Sequence, residues 1–198
     1  MAIEGLFVLV NVLLFLTATI ILISRDWRLS IATLGIQYAG VFILVYQSWP
    51  FEIAVVKLVT GWIAGAVLGI ALLNVLQDEI FKETFTLSEA VFRTLAAILL
   101  GLVALSWGSR LPGWFPALTV EQAVGGLLLI GIGLLHLSIT ALPFRVALGL
   151  LTFSSGFEII YAAVERSILV IGLLAVVTLG LSLVTAYLLG AHAPEASE

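Results

Sequence analysis

The chain has 198 residues, of which 62% are hydrophobic and 10% charged, against roughly 25% charged in an ordinary soluble domain. A mean hydropathy of +1.26 predicts a polytopic membrane protein, and the lack of any cysteine excludes disulfides, iron–sulfur clusters, thiolate nucleophiles and cysteine-ligated nickel or zinc. The net charge of −4 comes with no basic cluster, which excludes nucleic acid as a partner because phosphate neutralisation needs grouped Lys and Arg.

Apolar runs between charged or proline-rich breaks predict spans near residues 4–24, 30–48, 51–75, 89–107, 120–140, 144–164 and 167–189. Each approaches the length that one helix needs to cross a bilayer. The first span lacks a basic leader and a small-residue cleavage site, so it reads as an anchor rather than a signal peptide. Thr86 before Glu89 and Thr119 before Gln122 stand at capping-box spacing, and Pro50 and Pro143 stand where a first helical turn tolerates a missing N–H. Arg25, Arg28, Lys82, Arg93 and Arg145 follow the first, third and fifth spans, while Arg110 and Arg166 stand in the opposite loops. That asymmetry predicts an N-terminus outside and a cytoplasmic tail over 191–198. Trp49, Trp107 and Trp114 then fall at the outer boundary and Trp27 at the inner one, as interfacial anchors do. The expected fold is an all-α bundle of about seven transmembrane helices.

Polar groups inside the spans carry a cost and so attract the functional reading. Glu158, in the sixth span, costs about 2.5–3.5 kcal/mol by insertion scales. It is either a carboxyl that takes and gives a proton on a transmembrane path, or one held neutral or paired to lock helices. Lys57 is the lysine inside the third span; it and Glu158 stand at a matching depth, about 9 Å below the outer surface at 1.5 Å per residue, so the two side chains can meet. Its alternative role is snorkelling or helix locking. His136, near the inner end of the fifth span, is a candidate to feed protons toward Glu158 or simply to bond a neighbouring helix. With His192 in the tail, it does not make a bis-histidine haem site. No catalytic residue, metal site or cofactor is expected. Gly61, Gly65 and Gly69 recur every fourth residue and predict a packing face on the third span, at which Gly65→Leu would be disruptive. Asn11, Asn74, Thr60, Ser154, Ser155, Thr178 and Ser182 read as interhelical bonds, each worth on the order of 0.6 kcal/mol. Asp78, Glu79, Lys82, Glu83 and Glu89 read as a solvated or docking loop, and Glu52, Glu121 and Glu165 as interfacial charges.

A faint internal repeat matches GIQYAGV (35–41) to GFEIIYAAV (156–164). It predicts a first three-helix unit over 1–76, a linking helix and loops over 77–119, and a second three-helix unit over 120–190. Because one extra helix lies between them, the two units are parallel in the membrane, unlike the inverted repeats of many transporters. Gln37 then occupies in the first copy the place of Glu158 in the second.

The stretches RDWRLSIATLGIQ (25–37), VVKLV (55–59) and FRVALGLLTFSSGFEIIYAA (144–163) resemble the E component of the hydrogenase-4 membrane complex. That family is related to the K (4L) subunit of respiratory complex I and to the C subunit of Mrp-type antiporters. The resemblance implies a non-catalytic inner-membrane subunit beside large antiporter-like subunits, helping to form a path for protons or sodium. It implies further that Glu158 is the membrane carboxyl and Lys57 the buried lysine. Where the K subunit carries a second glutamate, the region near Thr178 here is uncharged, with Gly65 at the equivalent place in the first copy. A purely structural scaffold and an independent small transporter are the alternative readings.

Overall fold

The computed structural model describes residues 2–73, 87–165 and 167–191. Seven helices, each long and apolar enough to cross a membrane, account for almost all of it: α1 (Ala2–Ile23), α2 (Trp27–Tyr46), α3 (Phe51–Leu73), α4 (Leu87–Gly108), α5 (Val120–Ser138), α6 (Pro143–Val164) and α7 (Ile168–Ala191). Among the described residues there is no strand. Asn74, Asp78, Glu79, Lys82, Glu83, Thr86, Arg166, His192 and the rest of the tail lie outside the described residues.

Apolar side chains occur on every face of these helices, and that is the reason for a bundle in lipid rather than water. On α1, Val10, Leu14, Ala18, Ile21 and Leu22 are buried at helical spacing, while Leu6, Leu9, Val12, Leu16 and Ile20 are as apolar but face outward. Helix ends are set by local chemistry. The Asp26 carboxylate accepts from the Arg28 amide at 2.8 Å, so α2 starts at Trp27, before the position expected from hydropathy. Thr119 and Gln122 form the expected capping box of α5, Pro143 opens α6, and the Pro50 carbonyl accepts from the Ile53 and Ala54 amides at the start of α3.

The helices assemble in layers. α4 flanks α1 and α5; α1 and α5 pack on α2 and α6; these in turn carry α3 and α7, which also touch each other. The most extensive contact joins α5 to α6, and its cause is a set of glycines. A Cβ at Gly133 would lie 2.6 Å from the Phe153 amide nitrogen, and one at Gly156 would lie 2.6 Å from the Gly126 carbonyl oxygen and 2.7 Å from the Ile130 amide nitrogen. Only hydrogen at these positions lets the two backbones come so close.

Polar cross-links secure both ends. On the face carrying the α2–α3 turn, Gln122 Nε2 donates to the Leu44 carbonyl at 2.9 Å and to Ser48 Oγ at 2.8 Å, and Asn11 donates to the Glu121 carbonyl, the interhelical bond expected of it. On the face carrying the α1–α2 turn, Arg145 donates to the Ser24 carbonyl at 2.7 Å and Arg93 to the Leu22 carbonyl at 3.2 Å. Both arginines are buried and satisfy carbonyls that the end of α1 leaves open; they are built into the bundle rather than standing in solvated loops.

Two further expectations are corrected. Trp49 is not an interfacial anchor: it is 4% exposed and its indole N–H donates to the Glu165 carbonyl at 3.3 Å. Trp107 and Trp114 are exposed, as expected. The hydroxyls of Thr60 and Ser182 donate to carbonyls of their own helices rather than across the bundle, a substitute open to any Ser or Thr in a helix.

Candidate functional site

The sequence separates Lys57 from Glu158 by 101 residues, and the packing of α3 and α6 around α2 and α7 brings them together. The Lys57 ammonium and the Glu158 carboxylate form an ion pair through Nζ and Oε2, with Lys57 5% and Glu158 2% exposed. All four helices supply the surroundings. From α7, Thr178 Oγ1 accepts from Lys57 Nζ at 3.5 Å while giving its own proton to the Leu174 carbonyl. From α2, the ring of Tyr38 lies with its centroid 4.8 Å from Nζ, a cation–π contact. The region near Thr178, which lacks a second carboxylate, thus supplies a hydroxyl to the same lysine.

Pairing resolves the cost that each charge carries alone. A lone ion in an apolar interior is strongly penalised, and a partner with hydrogen bonds offsets the penalty. One valence is left over: Glu158 Oε1 is buried and has no hydrogen-bond partner among the described residues. Beside it a cavity of about 10 Å³ is lined by Trp49, Val56, Lys57, Thr60, Glu158 and residues of the first two turns of α7.

Gly61 serves this site and not only helix packing, since a Cβ there would run into the Tyr38 ring. Gly65 and Gly69 are different. Added Cβ atoms would meet Ile31 at 3.7 and 3.5 Å, ordinary contact distances, so the expected glycine face of α3 reduces to Gly61. Gly61→Ala is expected to displace Tyr38 from beneath Lys57 and to loosen the site, read as weaker hydrogen-exchange protection in α2 and α3 than in Gly65→Ala.

Gln37 is buried one layer further toward the α1–α2 face, where its Nε2 donates to Thr152 Oγ1 at 3.3 Å. His136 is not brought to the pair. The antiparallel register of α5 on α6 sets Gly133 against Phe153 and Gly126 against Ile160, so His136 lies level with residue 150, eight residues or about 12 Å short of Glu158. Its electrostatic neighbours are Arg93 and Arg145, and its ring nitrogen Nε2 has no hydrogen-bond partner among the described residues.

No family model matches this chain, and neither a curated protein nor a solved structure does. The site therefore rests on its own geometry. Among the described residues no group of three His, Asp or Glu side chains gathers as a metal site would.

The sequence reading missed the glycines of α5 and α6. Their signal was available: Gly126 and Gly133 are seven apart, as are Gly149 and Gly156, a spacing that keeps two residues on one helix face.

Proposed function

We propose that the chain is a non-catalytic subunit of a complex-I-like or energy-conserving hydrogenase-type membrane assembly, and that the Lys57–Glu158 pair is its proton-handling centre. The reading puts it in the cell inner membrane with the N-terminus outside, beside antiporter-like subunits. The observation that carries the reading is the pair itself: two opposite charges held together inside a lipid-spanning bundle, joined across four helices with one carboxylate oxygen left for a proton. A carboxylate so held is available to take up a proton when the lysine's contact loosens and to release it when the contact forms again, and this is the chemistry a relay requires. The contacts of α1 with α5, α2 with α6 and α3 with α7 support the doubled three-helix unit, with Gln37 and Glu158 on its equivalent second helices.

The test is Glu158→Gln in the assembled complex. Proton translocation is expected to be lost while co-purification with the large membrane subunits persists; unchanged pumping would remove the relay role. A structural scaffold is the second reading, favoured by the glycine-packed α5–α6 contact; on it Glu158→Gln costs stability, as any break of a buried pair does, but leaves pumping per assembled complex unchanged. Sodium in place of protons is read in the same assay from the cation dependence of transport.

A further inference from the structure

Access to the pair is unequal from the two faces of the bundle. Lys57 stands six residues into α3 and Glu158 six residues before the end of α6, so about 9 Å of helix separates the pair from the α2–α3 face and, along α3, about 24 Å from the other. The small cavity at Glu158 lies on the short side, bounded by Trp49, Val56, Ile171, Leu174 and Ala175. Its volume of about 10 Å³ is close to what one water needs, and the unpartnered Glu158 Oε1 offers that water a strong acceptor. Trp49 closes the cavity toward the face, held by its N–H bond to the Glu165 carbonyl.

The long side is deeper, and apolar side chains there are mixed with buried polar ones, among them Thr33, Gln37, Ser155 and Thr185. Leu34, Leu68, Phe144, Leu148, Leu151 and Leu189 form a continuous buried cluster, and each is at most 2% exposed. The hydroxyls of Ser182 and Thr185 in this half donate to carbonyls of α7 itself. Gln37 Nε2 donates to Thr152 Oγ1 in the same half.

We propose that the pair exchanges protons with the α2–α3 face, through one water seated beneath Trp49, and that Trp49 is the lid of this half-channel. The inference rests on the proton-handling reading for its purpose but not for its geometry. A continuous path across the membrane then requires a neighbouring subunit or an opening of the leucine layer.

The chain's lack of cysteine gives a clean test in sealed membrane vesicles of the intact assembly. Ala175→Cys reports the cavity, Ala147→Cys the apolar layer, and the exposed positions Ser109→Cys and Ser138→Cys mark the two faces. Silver ions are added to one side with a thiol scavenger on the other, and unreacted thiol is titrated after solubilisation. Ala175→Cys is expected to react from the side that labels Ser109→Cys and not from the side that labels Ser138→Cys, with Ala147→Cys protected from both. Adding Trp49→Ala is expected to speed the cavity reaction about tenfold, equivalent to about 1.4 kcal/mol of closing free energy. Trp49→Phe, which keeps the ring packing and removes the N–H bond, serves where the alanine variant does not fold and is expected to give a smaller increase in the same direction. Equal reaction from both sides, reaction from the Ser138 side, or rates unmoved by both Trp49 variants would overturn the half-channel. One-sided labelling in a protein whose Glu158→Gln variant still pumps would keep the half-channel and remove the relay.

Discussion

Lys57→Met is expected to destabilise the bundle by about 3–5 kcal/mol, because it leaves the Glu158 carboxylate buried without its partner. The double variant Lys57→Met/Glu158→Leu is expected to recover most of that loss. A buried ion pair is a poor net source of stability: desolvating both charges costs about as much as their attraction returns, and well-packed apolar residues of similar volume often do as well. The measurement is a double-mutant cycle on reversible unfolding in mixed micelles, where residues in contact depart from additivity. Additive losses would mean that the two side chains are not coupled. If the double variant is as stable as the parent while translocation is gone, the pair is retained for transport and not for folding, which is the sharpest separation of the relay from the scaffold.

Gly156→Ala is expected to cost about 1–3 kcal/mol, the usual range for forcing atoms into a filled core. The added methyl would meet backbone atoms of α5, the Gly126 carbonyl oxygen and the Ile130 amide nitrogen, and backbone cannot rotate aside as the end of a side chain can. Gly133→Ala is expected to behave alike, since its Cβ would meet the Phe153 backbone. Gly65→Ala has the opposite expectation. Its Cβ finds ordinary contact with Ile31, and the substitution removes unfolded-state freedom, a gain of about 0.4–1 kcal/mol. Thermal unfolding in detergent and the yield of monodisperse protein check all three; a Gly156→Ala protein as stable as the parent would show that the α5–α6 contact is not the tight one.

The tightest helix contact and the buried ion pair occupy different parts of the molecule. The glycine contact between α5 and α6, with the Gln122 and Arg145 cross-links at its two ends, forms a firm centre. The pair lies beside it, where α3 and α7 join. A neighbouring helix that moves α3 or α7 slightly would act first on Lys57 and Thr178, and only later on the centre.

Seven spans, their approximate limits and the all-α architecture follow from the sequence alone, because in lipid every backbone N–H and C=O must be satisfied within its own segment and an apolar run of that length has the helix as its solution. Glu158 and Lys57 stood out for the same reason: a charge in hydrocarbon is costly wherever its partner is. Their matched depth followed from rise per residue. Which neighbours each helix takes was not legible, because apolar residues cover every face and a lipid-facing leucine is chemically the same as a buried one. Tertiary packing alone therefore decided that Gly61 meets Tyr38 while Gly65 and Gly69 have room, that Trp49 turns inward, that Arg93 and Arg145 close the end of α1, and that Thr178 of α7 reaches the lysine of α3.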